Sequence, residues 1–269
     1  MQLGIMGFKN KVIWITGASS GIGEALSYSL SRQGAKLIIS SRREEALKKV
    51  KSHCEGNDDD IFILPLDLSK AETIPAKARE AMERFGPIDL LFNNGGISQR
   101  SEAINTRMDV VRKVMEVNFF GTVAITNEVL PSMIERGQGN IIVTSSVMGK
   151  FGTRLRSSYA ASKHALHGYF DSLRQEVFEH NVKVTLVCPG FIKTNVTKNA
   201  LQGDGSTHGK MGKGQEQGME ADEFVKRLLP RIEKGQEEIY IGGKEIWGVY
   251  FKRLAPKLFY KILRKADVT

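Results

Sequence analysis

Along the chain, short β-branched runs alternate with stretches whose apolar residues recur at helical spacing. The runs at 12–16, 36–40, 61–65, 88–92, 140–145, 183–187 and 238–241 are predicted strands. Several are apolar almost throughout, as strands covered on both faces are. Helices are predicted near 21–33, 43–53, 70–85, 106–136, 158–180 and 220–235. This alternation predicts parallel strands joined by right-handed crossovers. The expected fold is α/β: a single Rossmann-type doubly wound parallel sheet of about seven strands with helices on both faces. That domain is placed at 8–242, followed by a tail at 243–269.

Two stretches depart from the alternation. Segment 195–218 is polar, contains Gly203, Gly205, Gly209, Gly212, Gly214 and Gly218, and shows neither period. A mobile loop without an element is expected there, either a lid or a floppy insertion. In the tail, Trp247, Phe251, Leu254, Leu258 and Ile262 recur at helical spacing among Lys252, Arg253, Lys257, Lys261, Arg264 and Lys265. Pro256 kinks or splits that helix. Two readings stay open: a helix packed on the domain or on a second subunit, or a basic amphipathic helix lying on a membrane.

Composition narrows the function. With 39 basic and 30 acidic residues the chain carries +9, but no basic tract interleaved with aromatics. Nucleic acid is therefore not the expected partner; an anionic membrane surface or substrate fits the excess. Cys54 and Cys188 match no metal-ligand spacing and read as reduced thiols, Cys188 at a buried strand end, so no metal is expected. His164 and His167 likewise read as structural or surface residues. Residues 1–7 show no leader pattern, and no run of about 18 apolar residues could span a bilayer. The expected location is cytoplasmic, or peripheral on the cytosolic side of a membrane.

The first predicted strand runs into Gly17-Ala18-Ser19-Ser20-Gly21-Ile22-Gly23, and a helix follows. Strand, glycine turn and helix start form a dinucleotide fingerprint. Gly17 allows the turn, Gly21 lets the backbone approach a pyrophosphate, and Gly23 lets the helix pack closely. The helix start offers free N–H groups to phosphate. An acidic residue about 20 positions on would select NAD. This chain instead reads Ser40-Ser41-Arg42-Arg43 at the end of the second strand. A guanidinium grips a 2′-phosphate that a carboxylate would repel, so NADP(H) is the expected cofactor, with Ser41 and Arg42 as contacts.

Tyr159 and Lys163 stand four apart on a predicted helix. A free phenol has a pKa of about 10, and a neighbouring cation lowers it toward the working pH. The pair then suits acid/base work. By itself the spacing is common on helix surfaces.

Its setting is not common. The glycine turn, Asn93-Asn94-Gly95-Gly96, Asn118, Ser145-Ser146, Tyr159 with Lys163, and Pro189-Gly190 occur in this order. Together they resemble the short-chain dehydrogenase/reductase family of the roughly 250-residue type, over about residues 8–242. The resemblance implies roles. Tyr159 protonates the carbonyl oxygen; Lys163 lowers the tyrosine pKa and binds the nicotinamide ribose. Ser146, thirteen residues before Tyr159, orients the substrate oxygen, while Ser145 faces elsewhere. Asn118 holds a water in a proton relay. Asp67 and Leu68 flank the adenine, Asn94 lines the cofactor, and Ile192 and Thr194 contact its carboxamide and phosphates. Segment 195–218 falls where the family carries its substrate loop, which favours the lid.

The family usually has Asn-Asn-Ala-Gly where this chain has Gly95, a change expected to loosen that turn. The wording Asn-Asn-Gly-Gly-x-Ser-Gln-Arg, Met-Ile-Glu-Arg and Ala-Ser-Lys-His-Ala-Leu resembles the animal dehydrogenase/reductase member 7 branch, which implies an apolar substrate of steroid, retinoid or lipid-like type. Helix 106–136, with Val110, Val111, Val114 and Met115, resembles the element that packs family homodimers or homotetramers. The expected activity is NADP(H)-dependent interconversion of a small-molecule carbonyl and an alcohol. The alternative is an NADP(H)-binding sensor or scaffold without turnover.

Overall fold

Seven strands, β1 (Val12–Thr16), β2 (Lys36–Ser40), β3 (Ile61–Ile63), β4 (Leu90–Asn93), β5 (Gly139–Thr144), β6 (Val182–Pro189) and β7 (Glu238–Ile241), form one parallel sheet. The structure is a computed structural model and describes residues 7–266. The expected absence of a leader over 1–7 and the last three residues of the tail therefore fall wholly or mostly outside the described residues.

Strand order is β3-β2-β1-β4-β5-β6-β7. The order reverses between β1 and β4, which is where open α/β sheets bind their ligands. Both faces of β1 are covered: Ile13 and Ile15 point into one apolar layer, Val12 and Trp14 into the other. Helices α1 (Gly21–Arg32), α2 (Glu44–His53) and α8 (Ala221–Glu233) close the first layer with Leu26, Leu30, Leu47, Phe224 and Leu228. Helices α3 (Ile74–Phe85), α5 (Gly121–Arg136) and α6 (Ser157–Glu176) close the second with Ala78, Ile125, Val129, Leu166 and Phe170. The apolar character of the strands thus follows from their double coverage.

Some boundaries differ from the sequence reading. β3 stops at Ile63, short of the expected 65; Pro65 has no N–H to give the ladder. The long predicted helix is α4 (Met108–Met115), a π-helical turn (Glu116–Phe120) and α5 in direct succession. Half of its expected oligomer stripe is used within the chain, for Val110 and Val114 are buried in the protein itself.

The expectation that 195–218 holds no element needs correction. Leu201 bridges Gln99 on one side and Thr207 on the other, and a short helix, α7 (Lys213–Glu216), follows. Backbone bonds from His208 to Ala200 and from Gly209 to Lys198, 2.8 and 2.9 Å, fold the segment into a flap. Such a flap rests on main-chain bonds, which leave no side-chain period to read.

In the tail, Pro256 splits the helix into α9 (Trp247–Leu254) and α10 (Pro256–Leu263). Phe259 packs on Phe151 with ring centres 5.2 Å apart, edge to face, which ties the tail to the domain beside the cavity described next.

Candidate active site

The first turn of α1 is left open by its own sequence. Gly17 and Gly21 have φ of +66° and +60°, a region other residues enter only with strain. A Cβ on Gly23 would lie 2.3 Å from the Gly17 carbonyl oxygen, so only glycine lets the helix start this close to the turn. Ser20, the N-cap, makes no side-chain bond to the turn's N–H groups. Those donors, with the helix dipole behind them, fit a phosphate.

The turn opens into a cavity of about 630 Å³ at the carboxyl ends of the strands. Gly17, Ser19, Ser20, Gly21, Ile22, Ser41, Arg42, Asp67, Leu68, Asn94, Ser146, Tyr159, Lys163, Ile192 and Thr194 all line it. Two other predicted site residues, Gly23 and Asn118, stand behind its wall. Asn94 gathers the wall: its amide nitrogen donates to the Thr16 carbonyl at 3.2 Å, and its oxygen accepts from Thr144 at 3.3 Å.

Where Arg42 and Asp67 line the cavity, burial pushes the Asp67 carboxyl up. Two bonds from Ser69 and the charges of Arg42 and Lys113 outweigh that and hold it below the usual carboxylate range. Arg43 reaches the Ser19 hydroxyl at 3.5 Å and lines the cavity together with Arg42, which the sequence reading took as the main contact. Gly95 is filled from elsewhere, since a Cβ there would come within 2.6 Å of Leu68 Cδ1. The methyl missing from the turn is replaced by Leu68, and the turn is not loosened as expected.

At the chemical end, Ser146 starts a 3₁₀ turn, Val147–Gly149, and its Oγ accepts from Met148 N–H at 3.1 Å. Ser145 points away, as expected; its hydroxyl donates to the Lys163 carbonyl and meets His167 Nε2 at 3.0 Å. Lys163 is buried and donates to the Thr144 carbonyl at 2.7 Å. Burial pushes its ammonium down to about 8. Asn118, fully buried in the π-helical turn, donates to Ile97 O and Ser162 Oγ, each at 2.9 Å, and accepts from Ile97 N–H at 2.8 Å. It pins the wall beside Lys163; its side chain is occupied by these bonds.

The phenol of Tyr159 differs from expectation. Burial raises its pKa, and the opposing influences are the Ser146 hydroxyl and the Arg156 guanidinium rather than Lys163. Arg156 is a site residue the sequence reading missed. It sits three residues before Tyr159 and lines the same cavity. Its signal was that spacing, about one helical turn. A second omission is the contact of His167 with Cys188 at 3.6 Å and, through Nδ1, with Glu238 at 3.6 Å. Glu238 is already paired with Lys150, which a cation would have to displace.

The arrangement can hold a dinucleotide and present its reactive end to a phenol and a hydroxyl. The family model for short chain dehydrogenases matches residues 11–205. A Drosophila melanogaster protein described as dehydrogenase/reductase SDR family protein 7-like is 41% identical over 96% of this chain and 81% of its own length. The Mus musculus dehydrogenase/reductase SDR family member 7B is 40% identical over 95% and 80%. Among solved structures, an alcohol dehydrogenase from the archaeon Thermococcus sibiricus, complexed with 5-hydroxy-NADP, superimposes with a TM-score of 0.75 at 26% identity, covering 88% of this chain and 97% of that one. The chain belongs to the short-chain dehydrogenase/reductase family and is an oxidoreductase.

Proposed function

We propose that the protein interconverts a carbonyl and an alcohol with NADP(H). The observation that carries this reading is one continuous cavity, lined by the glycine turn with Arg42 and Arg43 and also by Tyr159 and Ser146. Bound there, the reduced dinucleotide supplies a hydride to the carbonyl carbon. Tyr159 gives its phenolic proton to the carbonyl oxygen, and Ser146 donates a hydrogen bond to the same atom. Lys163, held at the Thr144 carbonyl, adds positive charge on the side where the phenolate forms. Apolar walls from Val147, Met148, Phe151 and Leu201 suit an apolar substrate body. A sensor or scaffold without turnover has less support, because the full set of reacting groups is present. The test is initial rates on a panel of aldehydes, ketones, steroids and retinoids with NADPH and with NADH. NADPH is expected to be preferred by tenfold or more; equal rates with the two, or none with either, would defeat the reading.

A second observation concerns the tail. Six of the ten exposed large apolar side chains among the described residues lie there: Trp247, Tyr250, Leu254, Leu258, Tyr260 and Ile262. Residues 246–265 also carry six cations and no acid, two-thirds of the chain's net +9. Among the described residues no helix is long and apolar enough to cross a membrane. We infer that the tail lies on an anionic membrane surface, beside the cavity mouth. The protein should sediment with phosphatidylserine-containing vesicles and not with phosphatidylcholine alone. Failure to do so, or a dimer that Leu254→Glu dissociates, would assign the face to another copy of the chain. A homodimer or homotetramer through α4–α5, where Phe120 is half exposed, completes the proposal; sedimentation equilibrium reads it.

A further inference from the structure

One buried charge in the cavity has no counterion. Arg156 is the N-cap of α6 and only 6% exposed. Its Nη1 donates to Ser98 Oγ at 2.8 Å and to the Gln99 carbonyl at 3.2 Å. Both acceptors are neutral. Among the described residues no carboxylate lies within ion-pair distance of Arg156, and its Nε and Nη2 have no hydrogen-bond partner. Burying an unpaired charge is costly.

The neighbours raise that cost. Burial first, and the Arg100 charge after it, push the Arg156 guanidinium down to about 10, against Tyr159, which favours its charge. Burial, then Arg100, Arg156 and Lys210, disfavour the protonated form of His208 on the flap. The helix dipole of α6 adds positive potential at the same point. Across the cavity stands Glu245, but its Oε1 is committed to the N–H groups of Phe191 and Gly243, at 2.7 and 2.9 Å. On the flap, buried Thr197 has a hydroxyl without a partner and lines the same space. The same cavity is lined by the apolar Met148, Phe151, Val196 and Leu201 alongside polar groups such as Thr153, Asn199 and Gln215.

A guanidinium this buried, with no acid paired to it, is completed by a negative ligand. We infer that Arg156 is an anion subsite, so that the preferred substrate is an apolar ketone or aldehyde bearing a carboxylate or phosphate a few bonds from the carbonyl. The short separation follows from the single helical turn between Arg156 and Tyr159. The guanidinium fork matches both oxyanions. This inference rests on the carbonyl/alcohol reading for the reaction, though not for binding. Arg156 also acts on Tyr159, and that effect must be separated from the subsite.

The test therefore uses ratios. NADPH oxidation is measured with 4-oxododecanoate, its methyl ester and 2-oxododecyl phosphate, on the wild-type chain, Arg156→Lys and Arg156→Met. The two anions should exceed the ester in kcat/KM by tenfold or more. That margin should shrink in Arg156→Lys and fall toward one in Arg156→Met. Which anion leads separates carboxylate from phosphate as the natural group. A ratio near one in the wild type, or a ratio that survives Arg156→Met, overturns the subsite. Calorimetric binding of dodecyl phosphate against dodecanol, which needs no turnover, covers the case where none of these ketones reacts. Dodecyl phosphate should bind tenfold more tightly and lose that advantage in Arg156→Met; equal binding of the two contradicts the inference whatever the reaction proves to be.

Discussion

Lys163 Nζ stands 5.8 Å from the centre of the Tyr159 ring and gives its hydrogen bond to the Thr144 carbonyl, not to the phenol. The two side chains share a helix face, as four-residue spacing requires, yet the ammonium's bond goes to the backbone. Burial raises the phenol and lowers the ammonium, so each group opposes being charged. Positive charge from a bound oxidised nicotinamide would favour the phenolate. Replacing Lys163 with Met should therefore cut kcat by about a hundredfold or more and move the pH–rate profile for alcohol oxidation to higher pH. A profile left in place would separate the lysine from the tyrosine's ionisation.

On the proposed NADP(H) reading, Arg42 and Arg43 share the holding of a 2′-phosphate. Arg42→Ala should raise KM for NADPH by about ten- to a hundredfold, as loss of a charge-assisted bond does, and leave KM for NADH nearly unchanged. Arg43, bonded to Ser19, should show the same direction with a smaller effect. Steady-state kinetics with both cofactors reads each variant.

Gly95→Ala tests how Leu68 fills the turn. The added Cβ would meet Leu68 Cδ1 at 2.6 Å, the free end of a side chain that can rotate. The expected cost in stability is about 1 kcal/mol. The displaced leucine should press into the cavity beside Asp67 and, on the proposed reading, raise KM for NADPH several-fold. Gly23→Ala has no such outlet, because its Cβ would meet backbone at 2.3 Å, and it should abolish nucleotide binding measured by fluorescence.

His167 sets a pH limit on stability. Burial and the Lys150 charge push its imidazole down to about 4, against Glu238 and Asp171, which favour protonation, while His164 adds to the lowering. The unfolded chain protonates this group near 6.5. Between 6.5 and 4 the unfolded state binds the extra proton, so stability falls as pH drops through that window. The loss amounts to about 3 kcal/mol at its lower end. Thermal melts of His167→Gln between pH 7 and pH 4 should show a flatter curve than the wild type.

Most of the sheet was legible because double coverage makes each strand a nearly unbroken apolar run, and glycine and arginine at the first two strand ends carry their chemistry in residue type alone. The flap at 195–218 was not legible as an element, since Leu201 joins Gln99 and Thr207 through main-chain bonds. Arg156 escaped notice for a related reason: only the fold reveals that no acid accompanies it. His167 meets Cys188 and Glu238 from 21 and 71 residues away, a separation no local pattern records. The Leu68 methyl that fills the space beside Gly95 is likewise a contact between distant turns, so a missing methyl read from sequence as looseness was compensated in the fold.

The central claim, that Tyr159 moves the proton, is tested most directly by Tyr159→Phe. The variant keeps the ring and removes only the hydroxyl. NADPH affinity, read by fluorescence titration, should stay within about threefold of wild type, while kcat for carbonyl reduction should fall by about a thousandfold or more. Turnover within tenfold of the wild type, with NADPH still bound, would contradict the account.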